Sequence, residues 1–178
     1  MTSESMACID LPRAGGSYAL ELTLSQSARL QVGKLGVFDF PAGDYIYTGS
    51  AFGSGGLHAR VNRHLSPPST HKLHWHIDYL RQVASPCALI LFSHEPERDV
   101  ETRLECLWSQ LFLRMPESSL PAFGFGASDC AAGCGAHLVM FQAPILQPLL
   151  AEAAVRRRIA ASAGVQTDLL RFYTLLVK

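Results

Sequence analysis

Between Asp44 and Leu65 the chain reads DYIYTGSAFGSGGLHARVNRHL, and its apolar period changes there from two to nearly four. Tyr45 and Tyr47 alternate as on a strand, whereas Leu57, Val61 and Leu65 recur at i, i+4 and i+8, one buried stripe of a helix. Gly49, Ser50, Gly53, Ser54, Gly55 and Gly56 lie between them. The helix carries Arg60 and His64 on a stripe beside the apolar one, with Arg63 next to them. A strand, a small-residue loop and a helix therefore present phenols, backbone donors and cations together, a combination that suits a phosphate.

The flanking segments extend this unit into a domain. Residues 1–15 read as a flexible leader. Gly16–Leu24 alternates Tyr18, Leu20, Leu22 and Leu24 with smaller or polar neighbours, the period of a strand. Arg29–Phe40 reads as a second extended segment, bent at Gly33 and Gly36, and Pro41-Ala42-Gly43 turns the chain into the strand Asp44–Thr48. Three strands on short turns predict an antiparallel meander. Ser66-Pro67-Pro68 stops the helix, after which His71–Gln82 is expected to form another and Pro86–Phe92 a buried strand. Glu95–Arg114 has Val100, Leu104, Leu107, Trp108, Leu111 and Phe112 at helical spacing. Residues 116–135 are a Gly-, Pro- and Ser-rich loop, and His137–Gln142 a last strand. The fold class expected is α/β in the α+β sense: a small, mostly antiparallel sheet flanked by helices over residues 16–143. A helical C-terminal extension over residues 144–178 follows, a packing element or the seam of a homodimer.

Composition narrows the function classes. With 178 residues, 48% apolar and 17% charged, the chain can bury one core. Its 15 basic and 15 acidic residues balance, so attraction to nucleic acid must come from a local patch. No apolar run approaches the roughly 20 residues that cross a bilayer, and the N-terminus lacks a signal pattern. A cytoplasmic protein without membrane contact is expected, its five cysteines reduced. Cys8, Cys87 and Cys106 read as small buried or incidental residues. Cys130, Cys134 and His137 carry zinc-ligand atoms, but the sequence offers no obvious fourth ligand and not the usual knuckle spacing. The segment reads instead as a tight loop, and no structural zinc is expected.

Several ordered motifs carry a family resemblance. Gly16-Ser17-Tyr18, then Tyr47-Thr48-Gly49, then Leu57-x-x-Arg60 on a helix resembles the signature of the GIY-YIG nuclease superfamily. HWHIDYL (His74–Leu80), GFGASDC (Gly124–Cys130) and Cys134-x-x-His137-Leu138 resemble its Uri-type endonuclease branch, whose domain also occurs fused to glycosylases of the endonuclease III type. The resemblance spans roughly residues 15–142. Taken singly, strand tyrosines are core pairs and a helix arginine is a surface charge; the order of the motifs gives them weight.

The resemblance implies a metal-dependent endonuclease acting on nucleic acid, DNA first, and leaving a 5′-phosphate and a 3′-hydroxyl. Tyr18 would help activate water, with Tyr47 hydrogen-bonded in the same cluster. A phenol with an ordinary pKa near 10 needs cationic neighbours or metal-bound hydroxide for that task. Arg60 would grip the scissile phosphate with its fork of donors. A helix glutamate would hold one Mg2+ or Mn2+: Glu101 is the first choice and Glu105, one turn on, the alternative. His64 is a candidate proton carrier. Gly49, Ser50, Arg63, Lys72, His74 and His76 are candidates for nucleic-acid contact. The alternative function is a non-catalytic nucleic-acid-binding or partner-docking module on the same fold.

Overall fold

The computed structural model describes residues 11–94, 103–142, 157, 159–161 and 171–174, with only the backbone of residues 172 and 174. Its eight strands are β1 (Gly16–Leu24), β2 (Ala28–Val32), β3 (Gly36–Phe40), β4 (Gly43–Ser50), β5 (Ser85–Ser93), β6 (Ser118–Ser119), β7 (Leu138–Phe141) and β8 (Arg171–Thr174). The helices with full bounds among the described residues are α1 (Gly56–Leu65), α2 (His76–Leu80) and α3 (Leu104–Leu113), with a short 3-10 turn at Pro68–Thr70. Six strands form one sheet in the order β6-β7-β4-β1-β5-β8, all neighbours antiparallel. The mixed α and β architecture with a mostly antiparallel sheet is the fold class expected from the sequence.

The period-two pattern of β1 places its residues on two faces, and both are covered. Tyr18, Leu20, Leu22 and Leu24 join Tyr45, Tyr47, Leu89, Leu91, Leu138 and Met140 on one face, under Leu57, Val61 and Leu65 of α1 and Ile77 and Leu80 of α2. Ala19, Ile46, Ala88, Ile90, Val139 and Phe141 pack on the other against Leu104, Trp108 and Phe112 of α3. Small residues on β1 thus admit the bulky side of α3. Burying a side chain such as Phe112 fully is worth about 1.5–3 kcal/mol in transfer from water.

Four expectations need correction. The 28–40 segment is not the middle of a meander: it folds on itself at Gly33, whose φ of 49° suits glycine, into a separate two-stranded sheet of β2 and β3. That frees β1 to pair directly with β4, Tyr18 opposite Gly49 and Leu20 opposite Tyr47. The 71–82 helix shrinks to five residues because the Asp78 carboxylate accepts the backbone N–H of His74 and Trp75, which fixes the start of α2 behind them. The end of the expected leader is docked: Leu11 is buried, and the carbonyls of Pro12 and Ala14 accept N–H groups of α1. In the tail, residues 157 and 159–161 are helical as expected, with Ile159 and Ala160 buried beside Trp108, but Arg171–Thr174 is a strand on the outer edge of β5. Ile159 and Ala160 thus belong to this same core. Among the described residues no helix is long and apolar enough to cross a membrane.

Candidate functional site

A cavity of about 290 Å³ opens at the ends of β1 and β4, between the first turn of α3, α1 and the 126–137 loop. Tyr18, Tyr47, Gly49, Ser50, Arg60 and Glu105 all line it. β1 and β4 deliver the two tyrosines to the same face, and both are buried. Gly49 makes this arrangement spatially feasible. A Cβ there would lie 2.5 Å from the Tyr18 hydroxyl.

The phenols are held protonated. Burial pushes Tyr18 well above its ordinary pKa and Tyr47 up to about 12, outweighing the opposite pull of Arg60. The Tyr18 hydroxyl lies 2.9 Å from Nε2 of His64. Burial, helped by Arg60, Arg63 and Arg81 and opposed by Asp78, lowers the His64 pKa to about 3. With the Tyr18 hydroxyl donating to Nε2, the His64 proton sits on Nδ1. That nitrogen lies 3.8 Å from Oδ1 of Asp78, too far for a hydrogen bond, and both atoms are buried without a hydrogen-bond partner among the described residues; His71 Nε2 lies at the same distance from Oδ1. A phenol, an imidazole and a carboxylate are thus in series.

Asp78 anchors this series. Its Oδ2 accepts from Arg63 Nη2 at 2.8 Å and from the backbone N–H of His74 and Trp75 at 2.9 and 3.1 Å. Burial alone would raise its pKa, but these donors hold it below the usual carboxylate range. Arg81 ties the end of α1 to α2 by donating to the His64 carbonyl from Nε at 2.6 Å. In the sequence Asp78 stands out only as part of HWHIDYL, and the signal that could have promoted it is its i+3 spacing from the N-cap position Trp75.

Arg60 has no carboxylate partner among the described residues. Its guanidinium lies 4.1 Å from the Trp75 ring centroid, and that of Arg63 lies 4.7 Å from the same ring. The indole keeps Arg60 extended at the cavity without consuming its donors. Arg63 differs: it is committed to Asp78 and to the Lys72 carbonyl. His76 is committed too, its Nδ1 accepting from the Gly126 N–H at 2.9 Å, so it latches the 126–137 loop. Lys72 and His74 are exposed.

Glu105 sits in the first turn of α3, where the positive helix end favours its charge. It is 4% exposed; Oε1 accepts from Ser50 Oγ at 3.0 Å, and Oε2 is buried without a hydrogen-bond partner among the described residues. A buried carboxylate oxygen left short of donors inside a polar cavity fits a cation. Glu101 lies outside the described residues. The glycine loop does not form the expected anion cradle at the start of α1: the N–H groups of Leu57 and His58 donate to Ala14 and Pro12 carbonyls at 3.0 and 2.9 Å. Those amides are consumed in docking the chain ahead of β1.

The 126–137 loop holds a group that the sequence left incomplete. Cys130, Cys134 and His137 converge with Cys106, from the turn of α3 that carries Glu105. Cys106 brings the fourth potential ligand atom to the group. It went unrecognised because it sits 24 residues before Cys130, among apolar helix positions.

The sequence model of one family, described as a domain of unknown function, DUF123, matches residues 17–158. The chain belongs to the DUF123 family. The DUF123 match encloses every cavity residue named above and all four members of the Cys/His group, and it leaves β8 outside. No curated protein and no solved structure matches the chain.

Proposed function

We propose that this DUF123 domain is a metal-dependent endonuclease that hydrolyses phosphodiester bonds, with DNA as its substrate. The observation that carries the reading is the convergence of Tyr18, Tyr47, Arg60 and Glu105 from β1, β4, α1 and α3 on one cavity. The motif order, which resembles Uri-type nucleases, supports it. Arg60 enters the cavity as a cation without a carboxylate partner among the described residues, available for the fork-shaped contact that a phosphate accepts. Glu105, with the free Oε2, is the residue that would hold Mg2+ or Mn2+. A bound divalent ion supplies Lewis-acid stabilisation of the phosphate charge and makes its coordinated water more acidic.

Proton movement follows from the series Tyr18–His64–Asp78. An attacking water passes its proton to the Tyr18 oxygen as the Tyr18 proton moves to Nε2 of His64. No buried phenolate has to persist. The low basicity of His64 is conditional, since Arg60 and Arg63 help depress it. A phosphodiester that pairs with Arg60 removes part of that depression, so substrate itself prepares the acceptor. Asp78 then faces the imidazolium that forms.

The test is cleavage of labelled single- and double-stranded DNA by the full chain, with Mg2+ and with chelator. Arg60→Ala and Glu105→Gln are expected to lower the rate by about 10²–10³-fold with folding intact, the scale for losing one transition-state contact. Glu101→Ala is the control that separates the two glutamates. DNA binding without cleavage of any substrate would sink the nuclease reading and favour a non-catalytic module.

A further inference from the structure

The Cys/His group takes no part in the proposed hydrolysis, although Cys106, Cys130 and His137 line the same cavity. Cys106, Cys130, Cys134 and His137 each offer one ligand atom, and all four atoms lie within 4.8 Å of one another. Cys106 Sγ is 3.4 Å from Cys130 Sγ and 3.4 Å from His137 Nε2. Ligands about 2.3 Å from one central ion at the corners of a tetrahedron are about 3.8 Å apart, so these spacings are those of donors around one ion. The two sulfurs at 3.4 Å are well outside a disulfide bond, which is about 2.05 Å long.

The surroundings are built for such a group. The left-handed φ of 67° at Gly133 folds the short Cys130–Cys134 segment back on itself, and nothing lies within 4 Å of the place where its Cβ would be. The His137 backbone is pinned on both sides, its N–H donating to the Phe125 carbonyl at 2.8 Å and its carbonyl accepting from the Thr48 N–H at 2.9 Å. Gln110 points Nε2 at Cys134 Sγ, 3.9 Å away, where an amide donor would stabilise a thiolate. The four residues come from two places: α3 supplies one, the 126–137 loop the rest.

We propose that Cys106, Cys130, Cys134 and His137 form a tetrahedral site for a single Zn2+. Three soft sulfurs and an imidazole select zinc over the oxygen-seeking Mg2+. With all four positions taken by protein, the ion is structural rather than catalytic. It clamps the first turn of α3, and with it Glu105, to the loop that forms the opposite wall of the cavity. The inference does not depend on nuclease activity, because the ion has its own ligands and its own readout.

The experiment loads the full chain, purified with reductant, with Zn2+, removes excess metal, and measures zinc per chain by elemental analysis. Co2+ replaces Zn2+ in a parallel sample. The expected result is one ion per chain, with thiolate-to-cobalt charge-transfer bands and the intense visible bands of tetrahedral Co2+. Cys106→Ser and Cys130→Ser should each lose the thiolate bands' full intensity and bind more weakly, whereas Cys87→Ala and Glu105→Gln should keep both. Substoichiometric zinc in the wild-type chain, cobalt spectra without thiolate bands, or full binding by Cys106→Ser would overturn the proposal. A Cys106–Cys130 disulfide that forms despite reductant, seen by mass spectrometry, would overturn it as well. The wild-type spectrum decides the matter even where a serine variant fails to fold.

Discussion

Replacing His64 with glutamine should make the protein less sensitive to acid. The folded chain keeps His64 neutral down to a pKa of about 3, because the imidazole is buried and Arg60, Arg63 and Arg81 lie near it. In the unfolded chain it protonates near its ordinary pKa of about 6.5. Between those values the unfolded state binds more protons, so stability is complete above about pH 6.5 and falls as pH drops toward about 3. From about pH 7 to about pH 5 this one residue removes about 2 kcal/mol, a figure that barely changes if the folded value is anywhere below about 4. For a chain of this length that is about 4–8 °C in Tm. Glutamine cannot protonate, yet it can still accept from the Tyr18 hydroxyl. Thermal unfolding of both proteins at the two pH values gives the comparison; His76 and His137, also lowered by burial, act equally in both. An equal Tm loss in the two proteins would refute the neutral, buried His64 on which the proton series rests.

Other outcomes follow from the same geometry. Gly49→Ala places a methyl group 2.5 Å from the Tyr18 hydroxyl, so Tyr18 must move; the expected loss is about 1–3 kcal/mol in denaturant unfolding, with cleavage lost first. Asp78→Asn leaves Arg63 without its carboxylate and should cost about 2–4 kcal/mol, toward the lower end because a quarter of the Arg63 side chain reaches solvent. A chain ending at Ala143 loses the buried Ile159 and the strand that covers β5, and should lose about 3 kcal/mol or more, with dye-binding apolar surface exposed in solution. A stable, soluble shortened chain would contradict the placement of the tail in the core.

The sequence made the central strands legible because their side chains obey period two on both β1 and β4, and α1 because its stripe is clean. It was less informative where a single residue decides. Gly33 looks alike in a bend and in a hairpin turn, and only pairing across the sheet distinguishes them. The apolar run around Arg171–Thr174 has no clear period, so helix and strand read alike. In the site, Tyr18, Tyr47 and Arg60 were marked by motif order, and Ser50 and Gly49 by their neighbourhood. Cys106 was not, since a ligand set completed across 24 residues and an α-helix leaves no local spacing to read. Asp78 was hidden differently: a carboxylate that caps a helix and pairs with arginine looks like any structural acid until its distance to His64 is known.

The chain has two tryptophans, and their environments divide a spectroscopic task between them. Trp108 is sealed between α3 and the sheet, so its emission follows the integrity of the fold. Trp75 lies against two guanidiniums at the rim of the cavity. A polyanion that draws Arg60 off the indole changes the light from one tryptophan and leaves the other as an internal standard. The protein carries its own label-free gauge of occupancy, positioned at the residue that matters most for grip.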